Sequence, residues 1–158
     1  MTLDREEREA HLPEREPLLH VLREDRLNYP PVPSSVALAR HRASRLITEW
    51  GYPELAWATG LVVSELGTNA LLHGCLRDRL FQVAVVLRSA CFRIEVSDPR
   101  GERLPTLRSA GASECFGRGL PLVVHVTDRW GTHPRTVGKT VYAEFDLKPR
   151  STAAPEAR

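Results

Sequence analysis

Three polar side chains recur at four-residue intervals in one predicted helix. Glu65, Asn69 and His73 fall within about 80° of one another when each residue turns the helix by about 100°. Apolar residues share the same arc, namely Leu55, Ala58, Val62 and Leu66. A carboxylate, an amide and an imidazole buried there without partners would each cost at least about 1–3 kcal/mol. The spacing therefore predicts that something polar meets this face of the helix.

These residue types suit phosphoryl-transfer chemistry on a metal-bound nucleotide. Mg²⁺ prefers oxygen ligands, and Asn69 offers one neutral amide oxygen. Glu65, one turn earlier, can accept a proton from an attacking hydroxyl or orient a water. His73 can support the phosphate end or satisfy a neighbouring backbone group. The alternative is an ordinary helix with a surface Glu and an Asn near its end, because a Glu-x-x-x-Asn match arises easily by chance.

Three later positions can contribute to the same site. Asp98 follows a predicted strand, where its carboxylate can receive the exocyclic amine of adenine or form an Asx-type turn. The Gly117-Arg118-Gly119 turn can present backbone N–H groups and a guanidinium to phosphates, or simply be a tight loop entering a helix. The hydroxyl of Thr140 can back up Asp98 through a water, although threonine is common in strands. The order of these signals along the chain is more informative than any one of them.

The elements that would position these residues are visible in the periodicity. Ser34 or Ser35 can cap a helix that runs to about Trp50, and Pro53 opens a second helix that ends at Gly74. The remaining predicted elements are a short strand at 27–29, a hairpin of strands at 81–87 and 92–97, an irregular functional loop at 100–116, a short helix at 120–125, and strands at 126–132 and 140–147. This order predicts an α+β fold, a two-layer α/β sandwich whose mostly antiparallel sheet is covered on one face by helices.

Length and charge limit the remaining possibilities. The 158 residues suit one domain, predicted at 26–148, with a charged N-terminal extension at 1–25 that is disordered or a frayed helix and a disordered tail at 149–158. The 22 basic and 20 acidic residues nearly cancel, which gives no electrostatic argument for nucleic acid or membrane. No apolar run approaches the roughly 18 residues that span a bilayer, and residues 2–15 lack the apolar segment of a secretory signal.

The cysteines indicate a reducing compartment. Cys75, Cys91 and Cys115 are odd in number and widely spaced, which predicts free thiols and disfavours both a disulfide framework and a zinc site. We therefore expect a cytoplasmic protein. The balanced charge and the lack of a long apolar run also lead us to expect no nucleic-acid or membrane partner.

The ordered series of motifs resembles the GHKL ATP-binding superfamily, which joins gyrase, heat-shock chaperone, histidine kinase and mismatch-repair ATPase domains. The resemblance rests on residues 65–74, Asp98, residues 117–120 and residues 138–142, and it extends over about Leu27 to Leu147. The compact form, with a strand and a helix at its start, is most similar to the anti-sigma-factor serine kinases of bacteria. The resemblance implies the Bergerat-type fold, an α/β sandwich with ATP bound beside a mobile lid.

The same resemblance implies roles for individual residues. Asn69 matches the magnesium-binding Asn, Glu65 the general base and Asp98 the adenine-recognising Asp. Gly117 and Gly119 match the phosphate-loop glycines, and Thr140 matches a Thr near the adenine pocket. ATP and Mg²⁺ are the implied ligands. The implied partners are a sigma factor and an anti-anti-sigma protein that carries the acceptor serine, and a homodimer is the suggested assembly.

One glycine box departs from the family pattern. Where Asp-x-Gly-x-Gly is expected, the chain has Asp98-Pro99-Arg100-Gly101-Glu102, so Arg100 and Glu102 replace two glycines. The altered box favours a regulator without catalysis, whereas the intact Glu65 and Asn69 favour an enzyme, and the leading hypothesis is an ATP-dependent serine/threonine protein kinase. A second hypothesis is a non-catalytic, protein-binding regulator with weak or lost ATP binding. A third, an ATPase or a detached histidine-kinase catalytic domain, ranks lower because no phosphoacceptor-histidine helix pair is evident in so short a chain.

Overall fold

A computed structural model of the protein describes residues 20–100 and 119–148. Its elements follow the order β1 (Val21–Tyr29), α1 (Pro33–Glu49), α2 (Ala56–Asn69), β2 (Phe81–Arg88), β3 (Cys91–Asp98), α3 (Gly119–Val126), β4 (Arg129–Pro134) and β5 (Lys139–Asp146). Within these residues the strands form one five-stranded sheet in the order β1-β2-β3-β5-β4, and every neighbouring pair is antiparallel. The predicted α+β sandwich is confirmed.

One face of the sheet packs against the helices. Alternate residues of the central strands supply the core, because successive side chains of a strand point to opposite faces. The buried side chains from the strands are Phe81, Val83, Val85, Leu87, Phe92, Ile94, Val96, Val141, Ala143 and Phe145, and the helices meet them with Val36, Ala39, Ala43, Ile47, Val62, Val63, Leu66, Leu120 and Val123. Phe92 is fully buried between Trp50 and Phe145, with ring centroids 6.4 Å and 6.1 Å away.

The other face of the sheet carries polar and charged side chains that pair with one another. Arg93 bridges Glu95 at 2.8 Å and Glu144 at 2.9 Å, and Arg129 reaches Glu144 at 2.9 Å. The Arg93 guanidinium also lies 3.8 Å from the centroid of the Tyr142 ring. The two faces of the sheet are therefore chemically distinct, and the position of a residue in its strand decides which face it serves.

The first helix begins differently from the prediction. Its N-cap is Val32, with Pro33 at the first helical position and no side-chain cap, so neither Ser34 nor Ser35 performs that role. Pro33 fixes φ near the helical value and needs no N–H partner at that position, which accounts for the start. Ser35 is instead buried in the domain.

The second predicted helix consists of three segments. A 3₁₀ turn at Pro53–Leu55 leads into α2, and a π-helical turn at Ala70–Gly74 ends the run. The N–H of Cys75 donates to the carbonyl of Ala70 at 2.7 Å, which is the five-residue pattern of a π turn. This turn changes the phase of the helix between Asn69 and His73.

Two strand boundaries correct the sequence predictions. The first strand begins at Val21 instead of Leu27, so part of the predicted 1–25 extension belongs to the sheet, where it pairs with β2. Asp25 is held there by the Arg42 side chain of α1, which donates at 2.8 Å and 2.5 Å. The fourth strand occupies Arg129–Pro134, later than the predicted 126–132, because α3 continues to Val126.

The run from Pro53 to Gly74 is more apolar than the sequence analysis allowed. An 18-residue window within this 22-residue run reaches a mean hydropathy of 1.2, which by length and composition alone would permit a membrane span. Three residues of this run pack in the core against the sheet and α1 and are no more than 2 % exposed, namely Val62, Val63 and Leu66. Its hydropathy is that of a core helix, which makes it weak evidence for a membrane.

Candidate functional site

Two glycines bring the end of the π turn that follows α2 and the start of β5 against Asp98. A Cβ at Gly74 would lie 2.6 Å from Oδ1 of Asp98 and closer still to Oδ2, so the bare backbone of Gly74 packs on the carboxyl group. Gly138 has φ +86°, and a Cβ there would overlap the carbonyl oxygen of Asp98. The structure thus joins three of the separated sequence motifs at one point.

The Asp98 carboxylate forms a buried ion pair with Lys139. The Lys139 ammonium donates to Oδ1 of Asp98 at 3.0 Å and to the carbonyl of Arg100 at 2.7 Å. The two side chains are 3 % and 6 % exposed. The N–H of Arg100 also donates to Oδ1 at 3.0 Å, so the Asx-type turn that the sequence analysis considered is present. Lys139 is the residue of this site that sequence analysis missed.

Strand register explains why Lys139, and not Thr140, meets Asp98. The two strands pair Asp98 with Lys139 and Ser97 with Thr140. Asp98 and Lys139 share the helix-facing side, two residues beyond the core residues Val96 and Val141. Thr140 lies on the opposite face, where its hydroxyl is 2.7 Å from that of Ser97. The structure therefore does not bring the Thr140 hydroxyl to the Asp98 carboxylate.

The polar trio of the second helix is only partly enclosed. Glu65 and Asn69 are half-buried, and His73, displaced by the π turn, is exposed. Burial raises the pKa of the Glu65 carboxyl above its ordinary value. Across residues 20–100 and 119–148, no hydrogen bond or ion pair engages the side chains of these three residues. Their predicted roles stay predictions, but within the described residues their polar groups remain available to a ligand.

The remaining predicted site residues lie at or beyond a boundary of the structure. Gly119 is the first residue of α3, whose Leu120 and Val123 are buried in the core. Gly117 and Arg118 lie outside the described residues, as do Glu102 and the 101–116 portion of the predicted loop. Arg100, the first replacement in the altered glycine box, is half-buried beside Asp98.

Cys75 lies at the rim of the same cluster. Burial, followed by the negative charge of Asp98, raises the pKa of its thiol, while Lys139 acts in the opposite direction. Cys75 and the buried Cys91 are both free thiols, as predicted, and Cys115 lies outside the described residues. A raised pKa makes Cys75 a poor nucleophile, which agrees with its interpretation as a packing residue.

The residues present suit Mg²⁺ only together with a phosphate ligand. No group of three His, Cys, Asp or Glu side chains in the described ranges could hold a metal ion by itself. The Asn69 amide offers one oxygen, and Mg²⁺ typically combines one or two protein oxygens with waters and substrate phosphates. The helix can therefore accept magnesium as a nucleotide complex.

Comparison with known proteins identifies the family of the domain. Residues 29–145 match the family model of the histidine kinase-like ATPase domain, a range that contains Glu65, Asn69, Asp98 and Lys139. No curated protein matches the chain. The match covers most of the chain, and membership of an ATPase domain family implies ATP binding by the domain. The chain therefore belongs to the histidine kinase-like ATPase domain family.

Proposed function

We propose that this protein is an ATP-binding regulator of the anti-sigma-factor type, and that it phosphorylates a serine or threonine of an anti-anti-sigma partner. The observation that carries the proposal is the state of Glu65. This carboxyl group is half-buried, has a raised pKa, and has no hydrogen-bond or ion-pair partner in the described chain. It also stands one turn before the Asn69 amide on α2. A general base needs such a raised pKa and a free acceptor oxygen.

The proposed chemistry assigns one task to each side chain. Glu65 takes the proton of the attacking hydroxyl as the hydroxyl oxygen forms a bond to the γ-phosphorus. The bond from that phosphorus to the bridging oxygen breaks, and ADP leaves with the electron pair. Asn69 would hold Mg²⁺, which neutralises charge on the phosphates when bound. Asp98 would receive the amine of adenine, Gly117, Arg118 and Gly119 would bind phosphate oxygens, and His73 would support the phosphate end.

The partners and the compartment belong to the same proposal. A sigma factor and an anti-anti-sigma protein are the proposed protein partners, and a homodimer in the cytoplasm is the proposed assembly. The resemblance of the motif series supports these proposals, together with three widely spaced cysteines that suit a reducing compartment.

A second candidate is a non-catalytic regulator that uses the fold to bind a protein partner, with weak or lost ATP binding. A specific observation favours it: the carboxylate proposed to receive adenine already holds the Lys139 ammonium and the N–H of Arg100. Calorimetric titration with ATP and Mg²⁺ separates the two candidates, because an absence of binding at millimolar ATP would leave only the non-catalytic regulator.

Substitution of Glu65 tests the catalytic proposal directly. We expect Glu65→Gln to abolish transfer of radiolabelled phosphate from ATP to an anti-anti-sigma partner, while calorimetry shows ATP binding within about twofold of wild type, because a glutamine cannot take the proton. Glu54→Gln is the matched control, since Glu54 is an exposed residue of the preceding 3₁₀ turn and should leave transfer unchanged. Transfer that persists in Glu65→Gln would remove Glu65 from the role of base.

A further inference from the structure

The Asp98–Lys139 pair is the most deeply buried ionic contact described in the molecule. Both residues are about 4 % exposed, whereas the other described ion pairs include at least one more exposed side chain. Breaking such a pair by removing one partner is costly, because it leaves an uncompensated charge in a low-dielectric environment. The pair is therefore a persistent feature of the folded domain, and any ligand that binds the Asp98 carboxylate must compete with Lys139.

Three described groups of the chain contact the Asp98 carboxylate directly. The Gly74 backbone packs against both carboxylate oxygens, Lys139 donates to Oδ1, and the N–H of Arg100 donates to the same oxygen. The Asp98 side chain is only 3 % exposed; its Oδ1 already accepts two donors, and the backbone of Gly74 packs against Oδ2. The Lys139 ammonium is a cationic hydrogen-bond donor, so it supplies the type of contact that the exocyclic amine of adenine would supply.

We propose, on the basis of the proposed function, that Lys139 competes with adenine for the Asp98 carboxylate. This competition would set the nucleotide affinity and the base selectivity of the site. Adenine can reach Asp98 only when the ammonium withdraws, so nucleotide binding loses the free energy of the buried pair. A nucleotide whose base has no amine at that position gains nothing from displacing Lys139. The wild-type site consequently binds ATP weakly and discriminates little between bases with and without this amine.

Replacement of Lys139 by methionine tests the proposal. The methionine retains an unbranched apolar stem and removes the ammonium, so Asp98 becomes available to an amine. We expect calorimetry in the presence of Mg²⁺ to show ATP binding at least about tenfold tighter in Lys139→Met than in wild type. Binding of inosine triphosphate, which carries an oxygen in place of the amine, should change by less than about threefold. Lys148→Met, a substitution at an exposed lysine beyond β5, is the matched control and should bind both nucleotides as wild type does.

A second variant and a measurement on wild type keep the proposal testable if Lys139→Met does not fold. Lys139→Gln keeps a neutral donor for Asp98 and should tighten ATP binding less than Lys139→Met does. In the unaltered protein, the affinities for ATP and inosine triphosphate should agree within about threefold. The proposal is overturned if Lys139→Met binds ATP no more tightly than wild type, or tightens both nucleotides equally, or if wild type itself prefers ATP by more than about tenfold.

Failure of this inference differs from failure of the proposed function. If Lys139→Met binds ATP tightly yet no partner serine or threonine is phosphorylated, the competitor role stands and the kinase proposal fails. If wild type transfers phosphate while Lys139→Met shows unchanged ATP affinity, the kinase proposal stands and the competitor role fails.

Discussion

Substitution of Gly74 by alanine tests whether the end of the π turn after α2 packs on the Asp98 carboxylate. The new Cβ would lie 2.6 Å from Oδ1 and nearer to Oδ2, inside van der Waals contact. The carboxylate cannot simply rotate away, because Lys139 and the N–H of Arg100 hold it. Relief by movement of the helix end costs about 1–3 kcal/mol, as overpacking does. Relief by loss of the ion pair costs about 3–5 kcal/mol. We expect a loss of about 2–4 kcal/mol in the free energy of unfolding, between these limits.

The same helical run provides the matched control. A Cβ at Gly67 would meet the Val36 side chain at 3.4 Å, close to ordinary contact, so Gly67→Ala should be neutral or gain up to about 1 kcal/mol from helix propensity. Urea denaturation followed by circular dichroism measures both variants, and unchanged m-values would confirm that the native state is the one affected. If Gly74→Ala unfolds within about 0.5 kcal/mol of wild type, the described packing of Gly74 on Asp98 is wrong.

Two further predictions concern Glu65 and Thr140. Burial raises the pKa of the folded-state Glu65 carboxyl above its ordinary value of 4.5, so the stability it contributes is complete below that pH and is lost as pH rises through the folded-state pKa. Urea denaturation at pH 4 to 8 should therefore give Glu65→Gln the same free energy of unfolding as wild type at the acid end and a higher one at neutral pH. A difference that does not change with pH would contradict burial of the Glu65 carboxyl as its cause. Thr140→Val should cost about 1–3 kcal/mol by leaving the buried Ser97 hydroxyl unpaired. The ATP affinity of Thr140→Val, measured by calorimetry, should stay within about twofold of wild type. A large loss of affinity would indicate that Thr140 contributes to adenine binding after all.

Local patterns predicted most of the elements correctly. The 3.6-residue apolar rhythm located both long helices, and the alternating runs located the hairpin of β2 and β3, because these periods follow directly from backbone geometry. Boundaries were less predictable where tertiary contacts extend an element. The first strand continues back to Val21 because β2 offers it a partner along its whole length, and the charged sequence of that segment gives no sign of this.

The π turn at Ala70–Gly74 is another feature that periodicity did not reveal. A uniform helix would keep His73 in line with Glu65 and Asn69, whereas the structure exposes His73 and seats Gly74 on Asp98. The close approach of Gly74 to a strand far away in sequence is a tertiary contact, and local spacing carries no information about it.

The sequence by itself determined the family, the presence of a carboxylate and an amide one turn apart, and the ordered series of motifs around them. Only the tertiary structure decided which side chain faces Asp98. Neighbouring residues of a strand point to opposite faces, and a shift of one residue in the pairing of β3 with β5 would exchange Lys139 for Thr140. That register depends on which strands pair and how they align, and it gives the Asp98 carboxylate an ammonium partner in place of a hydroxyl.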